Sequence, residues 1–567
     1  MVFVKDFRRE FYDVIQHQRI LVLVNYDVDA LCACKILQYL FQCDHVPYTI
    51  VPVAGRQDLL RAYVENCEGL QYVLLINCGA SLDLVEFLQP EDHMIFFICD
   101  SHRPVDVHNL YNQVQVRLLM RQDEMEDVPQ FDEVFRDSED ESEEEDSGNE
   151  SESSEPRGKR RRFDEAALEK RRERRLWEER RHQILFKYSE FAYHGTSSAL
   201  LMFEMAWKMS KDTNDLLWLA IVGVSDQYMQ HKVDRDKYID DVGDLQSHVS
   251  RHNHRPDDEE NIVSVDCLRV SFEQELQLTL YRHWSLYESL CHSANTACRF
   301  RIWTLKGKKK LQEFLADMGI PLVQCRQKFS SMDVTLKEEV KEMIANQVEK
   351  YSLTEQEMFL PSFHAQYGFR NKLCAADMVH ACNAMLESIE LDQGPAEHFL
   401  TALDLLNRSK TDVLEKGLEA ARTQLKAVVT QVQSFLDMHQ VISAGPFLYA
   451  FVQEGTADTK FFSKPICLQH LARFTLDAYC SISRSKKAPT LPLVLGAPLD
   501  TEAGTMLVVG IPPKTDRSLK NCFGKAFEQA ASSTNSRTQH DSFTTNLIEL
   551  KTEDKSKFFD ALISLLQ

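Results

Sequence analysis

Ile20-Leu-Val-Leu-Val-Asn-Tyr-Asp-Val-Asp-Ala-Leu-Cys-Ala-Cys-Lys-Ile-Leu-Gln-Tyr-Leu-Phe41 decides how the rest of the chain is read. Five consecutive apolar residues, Ile20 to Val24, predict a strand buried on both faces, and the apolar-periodic run from Leu31 to Phe41 predicts the helix that follows. Between them lies a polar hinge, Asn25-Tyr-Asp27-Val-Asp29-Ala30. Asp27 and Asp29 therefore fall just outside the carboxyl end of a parallel strand, where open α/β sheets keep their chemistry.

Downstream the alternation continues. Tyr48 to Val53, Tyr72 to Ile76, Met94 to Cys99 and Val114 to Leu119 read as strands, with helices over Gln57 to Asn66 and Leu82 to Leu88. This pattern predicts a parallel sheet with helices on its faces. The strand ends share a chemistry: Asn25-Tyr-Asp27, Asn77-Cys-Gly79 and Asp100-Ser101-His102. A single Asp or Asn often only starts a turn; three in succession deliver polar groups to one sheet edge. A later helix, Asp215 to Val224, ends at Ser225-Asp226-Gln227 and adds a fourth carboxylate. Carboxylates with a histidine at one edge suit two hard divalent ions such as Mn²⁺ or Mg²⁺, a pair able to activate water for phosphodiester cleavage.

With 567 residues, 44% of them hydrophobic, the chain has material for several domains. A net charge of -22 argues against a protein that coats nucleic acid with a basic surface, while leaving room for a local basic channel. Fifteen cysteines without a Cys-x-x-Cys pair, and a start lacking the pattern of a secretory signal, predict reduced thiols inside a cell. No apolar run reaches the roughly 18 residues of a spanning helix, so no membrane association is expected.

Composition then changes abruptly. Residues 123–156 are acidic and serine-rich and predict a disordered loop, because too few apolar groups offset the entropy of ordering. Ser138, Ser142 and Ser147 each precede an acidic residue by three positions, which suits an acid-directed kinase. The sign flips over 157–183. Lys159, Arg160, Arg161 and Arg162 form one basic block and Lys170, Arg171, Arg172, Arg174 and Arg175 a second, the pattern of a bipartite nuclear-import signal; a solvated charged helix is the alternative. His248, His252 and His254 lack zinc-ligand spacing and read as a polar loop. Residues 271–407 read as mainly helical, 408–440 as a connecting helix, and 441–567 as a smaller α/β domain.

The order Asn25-Tyr-Asp27-Val-Asp29-Ala30, Asn77-Cys-Gly79, Asp100-Ser101-His102 and Asp226 resembles the motifs of the DHH phosphoesterase superfamily, which includes the RecJ single-strand exonucleases. An active member has Asp-x-Asp-x-Asp-Gly first, an Asp in the second motif and Asp-His-His in the third. This chain has Asn25, Ala30, Asn77 and Ser101 at the departing positions. Losing two anions from a site for two dications predicts no two-metal hydrolysis and no cofactor. Asp27, Asp29 and Asp100 are the residues that would hold a single residual ion.

Further runs, among them Cys-Asp-Ser-His-Arg-Pro and Tyr-His-Gly-Thr-Ser-Ser-Ala, resemble the vertebrate members of the cell division control protein 45 family along essentially the whole chain. That resemblance implies a RecJ-like DHH domain from 1–122 and 184–270, a helical insert and a C-terminal DHHA1-like domain. It also implies a non-catalytic nuclear replication factor, chromatin-associated during replication. The implied role is to join the minichromosome maintenance hexamer and the GINS tetramer in the replicative helicase. Other initiation factors, the replicative polymerase and weakly held single-stranded DNA complete the implied partners. Two alternatives stand beside it. One is an active Mn-dependent single-strand exonuclease. The other is a nucleotide-binding regulator, disfavoured because neither a glycine-rich phosphate loop nor a Walker A motif follows the first strand.

Overall fold

The computed structural model describes residues 2–135, 165–253, 268–367, 371–390, 394–455, 458–516 and 518–567. Five parallel strands form the first sheet: β1 (Ile20–Asn25), β2 (Tyr48–Val53), β3 (Tyr72–Ile76), β4 (Ile95–Cys99) and β5 (Val116–Leu118), in the order β2-β1-β3-β4-β5. The unbroken apolar runs are explained by burial on both sides. Ile20, Val22 and Val24 pack beneath helices α1 (Val28–Cys43), α2 (Ser198–Lys208) and α3 (Asn214–Met229). Leu21 and Leu23 face the other way, toward Leu59 and Tyr63 of the helix Arg56–Asn66 and toward Leu84 and Leu88. The expected α/β class with a parallel sheet is what the chain forms.

Several expectations need correction. The acidic segment was expected to be a disordered loop from 123, yet packed structure continues to 135. Glu124 accepts hydrogen bonds from the Thr196 amide and from Lys237 Nζ, and Phe131–Val134 makes a helical turn that buries Val134. Charge pairing with residues distant in sequence holds what composition alone leaves loose. Ser138, Ser142, Ser147 and the block Lys159 to Arg162 lie outside the described residues. The second basic block falls in the helix Glu165–Ser189, with Arg171, Arg172, Arg174 and Arg175 exposed.

Helix α3 runs past Val224 to Met229, so Asp226 lies within the helix and not at its boundary. His248 and His252 are helical, in Arg235–Asn253, and not in a loop. His248 packs edge-on against Trp207, and His252 Nε2 lies 2.9 Å from Asp212. His254 lies outside the described residues.

The insert is not purely helical. Arg269–Leu276, Phe359–Tyr367 and Asn371–Cys374 form an antiparallel sheet. Helix α4 (Ala375–Leu386) then returns to the first core, packing on α3 and on α5 (Thr411–Asp437). The C-terminal region holds a six-stranded mixed sheet, with strands including Leu448–Phe451, Leu493–Asp500, Thr505–Ile511 and Leu547–Lys551. Helix α6 (Pro465–Ile482) lies against that sheet and against α5.

One joint between these bodies titrates. Glu387, just after α4, accepts the Ile466 and Cys467 amides at 2.6 and 2.8 Å and so caps α6. Burial outweighs those bonds and nearby Lys464 and pushes its carboxyl up to about 7. A folded-state pKa above the ordinary 4.5 means that the folded protein holds this proton more tightly. Stability from this group is therefore full below about pH 4.5 and falls as pH rises toward 7. Glu387→Gln, which keeps an acceptor without a charge, is expected to flatten that loss by about 2–3 kcal/mol. Urea unfolding of both proteins at pH 5 and pH 8 measures it; parallel losses would refute the assignment.

Candidate functional site

Strands β1 and β3 are neighbours whose following helices leave to opposite faces of the sheet. Such a reversal opens a crevice at the carboxyl ends, the usual position of a site in an open parallel sheet. Asn25, Asp27, Asp29 and Asn77 all arrive there.

Asp27 caps α1. Its Oδ1 accepts from the Ala30 amide at 2.7 Å and from Asn77 Nδ2 at 3.1 Å, while Oδ2 accepts from Asn25 Nδ2 at 2.9 Å. Asp29 is wholly buried. It accepts from Asn77 Nδ2 at 3.0 Å, the Ser198 amide at 2.9 Å, the Ala199 amide at 3.0 Å and the Ser197 hydroxyl. Burial, reinforced by Asp27, nevertheless raises its pKa.

Asn77 is the chemical centre of this arrangement. Its backbone is left-handed, with φ 51°, a conformation that Asn tolerates well. The amide nitrogen donates to both Asp27 and Asp29, and the amide oxygen accepts from the Ser101 amide at 3.1 Å and the Ser198 hydroxyl at 2.6 Å. A carboxylate at 77 would turn one acceptor oxygen toward both Asp27 and Asp29 in place of the shared donor.

Asp100 and His102 form an adjoining pair. Asp100 accepts from the Ala80 amide at 3.0 Å and from His102 Nδ1 at 2.7 Å. Burial opposes its charge, but His102 and these bonds hold its pKa below the ordinary value. The Ser101 hydroxyl is buried with no hydrogen-bond partner.

Asp226 reaches the edge from α3. Asn383 Nδ2 lies 3.5 Å from one of its oxygens and Lys232 Nζ 3.6 Å from the other. Burial pushes Asp226 up to about 6. For Lys232 burial works against the ammonium, yet Asp27, Asp226 and Asp29 outweigh it and raise its pKa. The lysine keeps its charge because three carboxylates surround it.

These residues do not fit a pair of divalent ions. The lone pairs of Asp27 and Asp29 are directed at amide and hydroxyl donors, and an ammonium already neutralises the group. Asp29, Asp100 and Asp226 are each at most 1% exposed. Another grouping of metal-ligand type, Glu273, Glu275 and His364, is matched by protein cations: Lys372, Lys341 and Arg282 pair with its glutamates.

Sequence reading missed Lys232, Asn383, Ser197 and Ser198. The serines had a visible signal, a hydroxyl pair opening an apolar helix. Lys232 and Asn383 had none, since nothing local marks a turn lysine or a mid-helix amide for a site brought together by packing.

Comparison with known proteins agrees with this architecture. A profile described as CDC45 matches residues 20–155 and 120–565. The chain is 53% identical over 569 residues to "Cell division control protein 45 homolog" of Homo sapiens, covering 100% of both chains. It is 52% identical to the Mus musculus homolog, again covering 100% of both. Among solved structures, CDC45 from Entamoeba histolytica superposes with a TM-score of 0.70 at 23% identity, covering 100% of this chain and 99% of that one. With sequence and fold in agreement from end to end, the chain belongs to the CDC45 family of cell division control proteins.

Proposed function

We propose that this protein is a non-catalytic subunit of the replicative helicase, bridging the minichromosome maintenance hexamer and the GINS tetramer. The observation that carries the non-catalytic part is the sheet edge itself. Asn77 and Lys232 supply from within the protein the donors and the positive charge that hydrolytic ions would otherwise supply. What persists is a rigid frame for assembly, acting in the nucleus on replicating chromatin through the basic import segment. Single-stranded DNA binds weakly in the groove between the lobes, and the acidic-loop serines are kinase substrates.

The insert offers a surface for partners. Leu305, Val323 and Val334 are 83, 78 and 63% exposed, and Lys306, Lys308, Lys309 and Lys310 accompany Leu305 on one helix. Exposed Leu305 on a lysine-rich helix suits a partner with an apolar, acidic face.

Two measurements test the reading. Purified protein with Mn²⁺ should leave labelled single-stranded DNA intact; degradation abolished by Asp29→Ala together with Asp100→Ala would establish the exonuclease alternative. Capture from replicating chromatin with Leu305→Asp should recover less hexamer and GINS than wild type. Full recovery would place the interface elsewhere.

A further inference from the structure

The helix Glu165–Ser189 is held to the folded body by its last turns. Arg181 Nε donates to the Val134 carbonyl at 2.8 Å, and the Tyr188 hydroxyl donates to the Val105 carbonyl at 2.9 Å. Over 171–180 every residue except half-buried Trp177 is exposed. A helix that is polar on nearly all sides and buries no apolar face depends on paired charges for support.

Within the helix those charges are not balanced. Residues 171–181 hold six arginines against three glutamates. Arg174 meets Glu178 at 3.0 Å, and Arg181 is taken up by Val134 and the Trp177 ring. Arg171, Arg172, Arg175 and Arg180 are exposed and form no ion pair with any described residue. Arg175 lies four positions from Arg171 and three from Arg172, spacings at which like charges share a face and repel. On a chain of net charge -22 this is an uncompensated cationic surface.

The chain carries the complement beside it. Residues 137–155 hold eleven acidic residues and no basic one. The stretch 136–164 lies outside the described residues, but both of its ends are fixed on this helix. It departs after Phe135, next to the Val134 carbonyl that Arg181 holds, and rejoins at Glu165, the first residue of the helix. Those two points on the helix are about 24 Å apart at 1.5 Å per residue. A flexible chain of the same length as 136–164 has an end-to-end distance of about 30 Å, which matches the span. The acidic run is thus tethered at both ends of the exposed turns, at an effective concentration on the order of millimolar, and any free polyanion must compete with it.

We propose that residues 137–155 lie along the exposed cationic turns 171–180 and neutralise them, an autoinhibitory contact that withholds this helix from other polyanions, nucleic acid included. The contact consists of many weak pairs, so it needs no fixed register, and it yields to salt or to loss of the acidic charge. Phosphoryl groups on Ser138, Ser142 and Ser147 add charge of the same sign and tighten it. It is independent of the import reading, which concerns what binds the helix once it is free.

Hydrogen exchange followed by mass spectrometry on the full chain reads the contact directly. Wild type is compared with a variant in which every Asp and Glu of 137–155 is changed to Asn or Gln. At low salt the amides of 171–180 are expected to exchange about 10-fold faster in the variant, because paired charges no longer support the helix. A synthetic peptide of residues 137–155 is expected to restore protection in trans, and the difference between the two proteins is expected to vanish at about 0.5 M salt. A DNA duplex of about 20 base pairs, used as a probe polyanion, is expected to bind the variant about 10-fold more tightly than wild type at low salt. Arg171→Gln, Arg172→Gln, Arg175→Gln and Arg180→Gln together are expected to remove that gain. Melting of the variants checks the fold, and wild type at low and high salt supplies the exchange readout without any substitution. Equal exchange over 171–180 in wild type and variant at low salt would overturn the proposal. So would a gain in duplex binding that survives the four arginine substitutions, or one that is lost only when Lys159, Arg160, Arg161 and Arg162 are changed to Gln, since the acidic run would then be paired with that block and not with the helix.

Discussion

Lys232→Met is expected to destabilise the protein by about 3–5 kcal/mol, the range found when one partner of a buried charge group is removed. Asp27, Asp29 and Asp226 would keep their burial and lose the ammonium that offsets them. Methionine fills a similar volume, so the loss reports charge and not a cavity. Lys232→Arg, which keeps the charge on a bulkier group, should retain part of the stability. Urea unfolding with the two variants beside wild type decides it. A loss below about 1 kcal/mol for Lys232→Met would mean that the carboxylates are neutralised by protonation, and the internal-cation account would be wrong.

Asn77→Asp carries the second large effect, again about 3–5 kcal/mol, for the opposite reason. It adds an anion where Asn77 now donates to Asp27 and Asp29 at 3.1 and 3.0 Å. The left-handed backbone at 77 suits Asp as well as Asn, so strain does not confound the result. Mn²⁺ should restore little stability to this variant, because Lys232 still occupies the charge balance. In Asn77→Asp with Lys232→Met, the edge gains an anion and loses a cation, and millimolar Mn²⁺ is expected to raise the melting temperature. Residues in one network are expected to be non-additive in this way. Equal Mn²⁺ responses in the single and double variants would show that Lys232 does not stand where positive charge is needed.

The parallel strands were legible because a two-sided burial requirement leaves unbroken apolar runs. Ile20 to Val24, Tyr72 to Ile76 and Ile95 to Cys99 carry that mark. The antiparallel sheet of the insert was not legible. Its strand Arg269–Leu276, Arg-Val-Ser-Phe-Glu-Gln-Glu-Leu, carries charged residues that pair with Lys341, Lys372 and Arg282, so its polarity concealed a buried element. Asp226 was found by its residue type but placed at a helix end, since polar Ser225-Asp226-Gln227 looks like a terminus when its partners are unknown. Helix α3 continues because that polar stretch faces Asn383 and Lys232 inside the protein.

The sequence by itself determined the α/β class, the sheet edge at which chemistry would gather, and the departures at Asn25, Ala30, Asn77 and Ser101, because each is written in local pattern and residue type. Only the tertiary structure decided what replaced the missing groups. Lys232 lies in a turn after α3, Asn383 in α4 and Ser197 before α2, and their meeting with Asp29 and Asp226 depends on how helices pack over the sheet. Charge compensation acts through space over a few ångströms, and residues hundreds of positions apart can supply it; no window of sequence records that proximity.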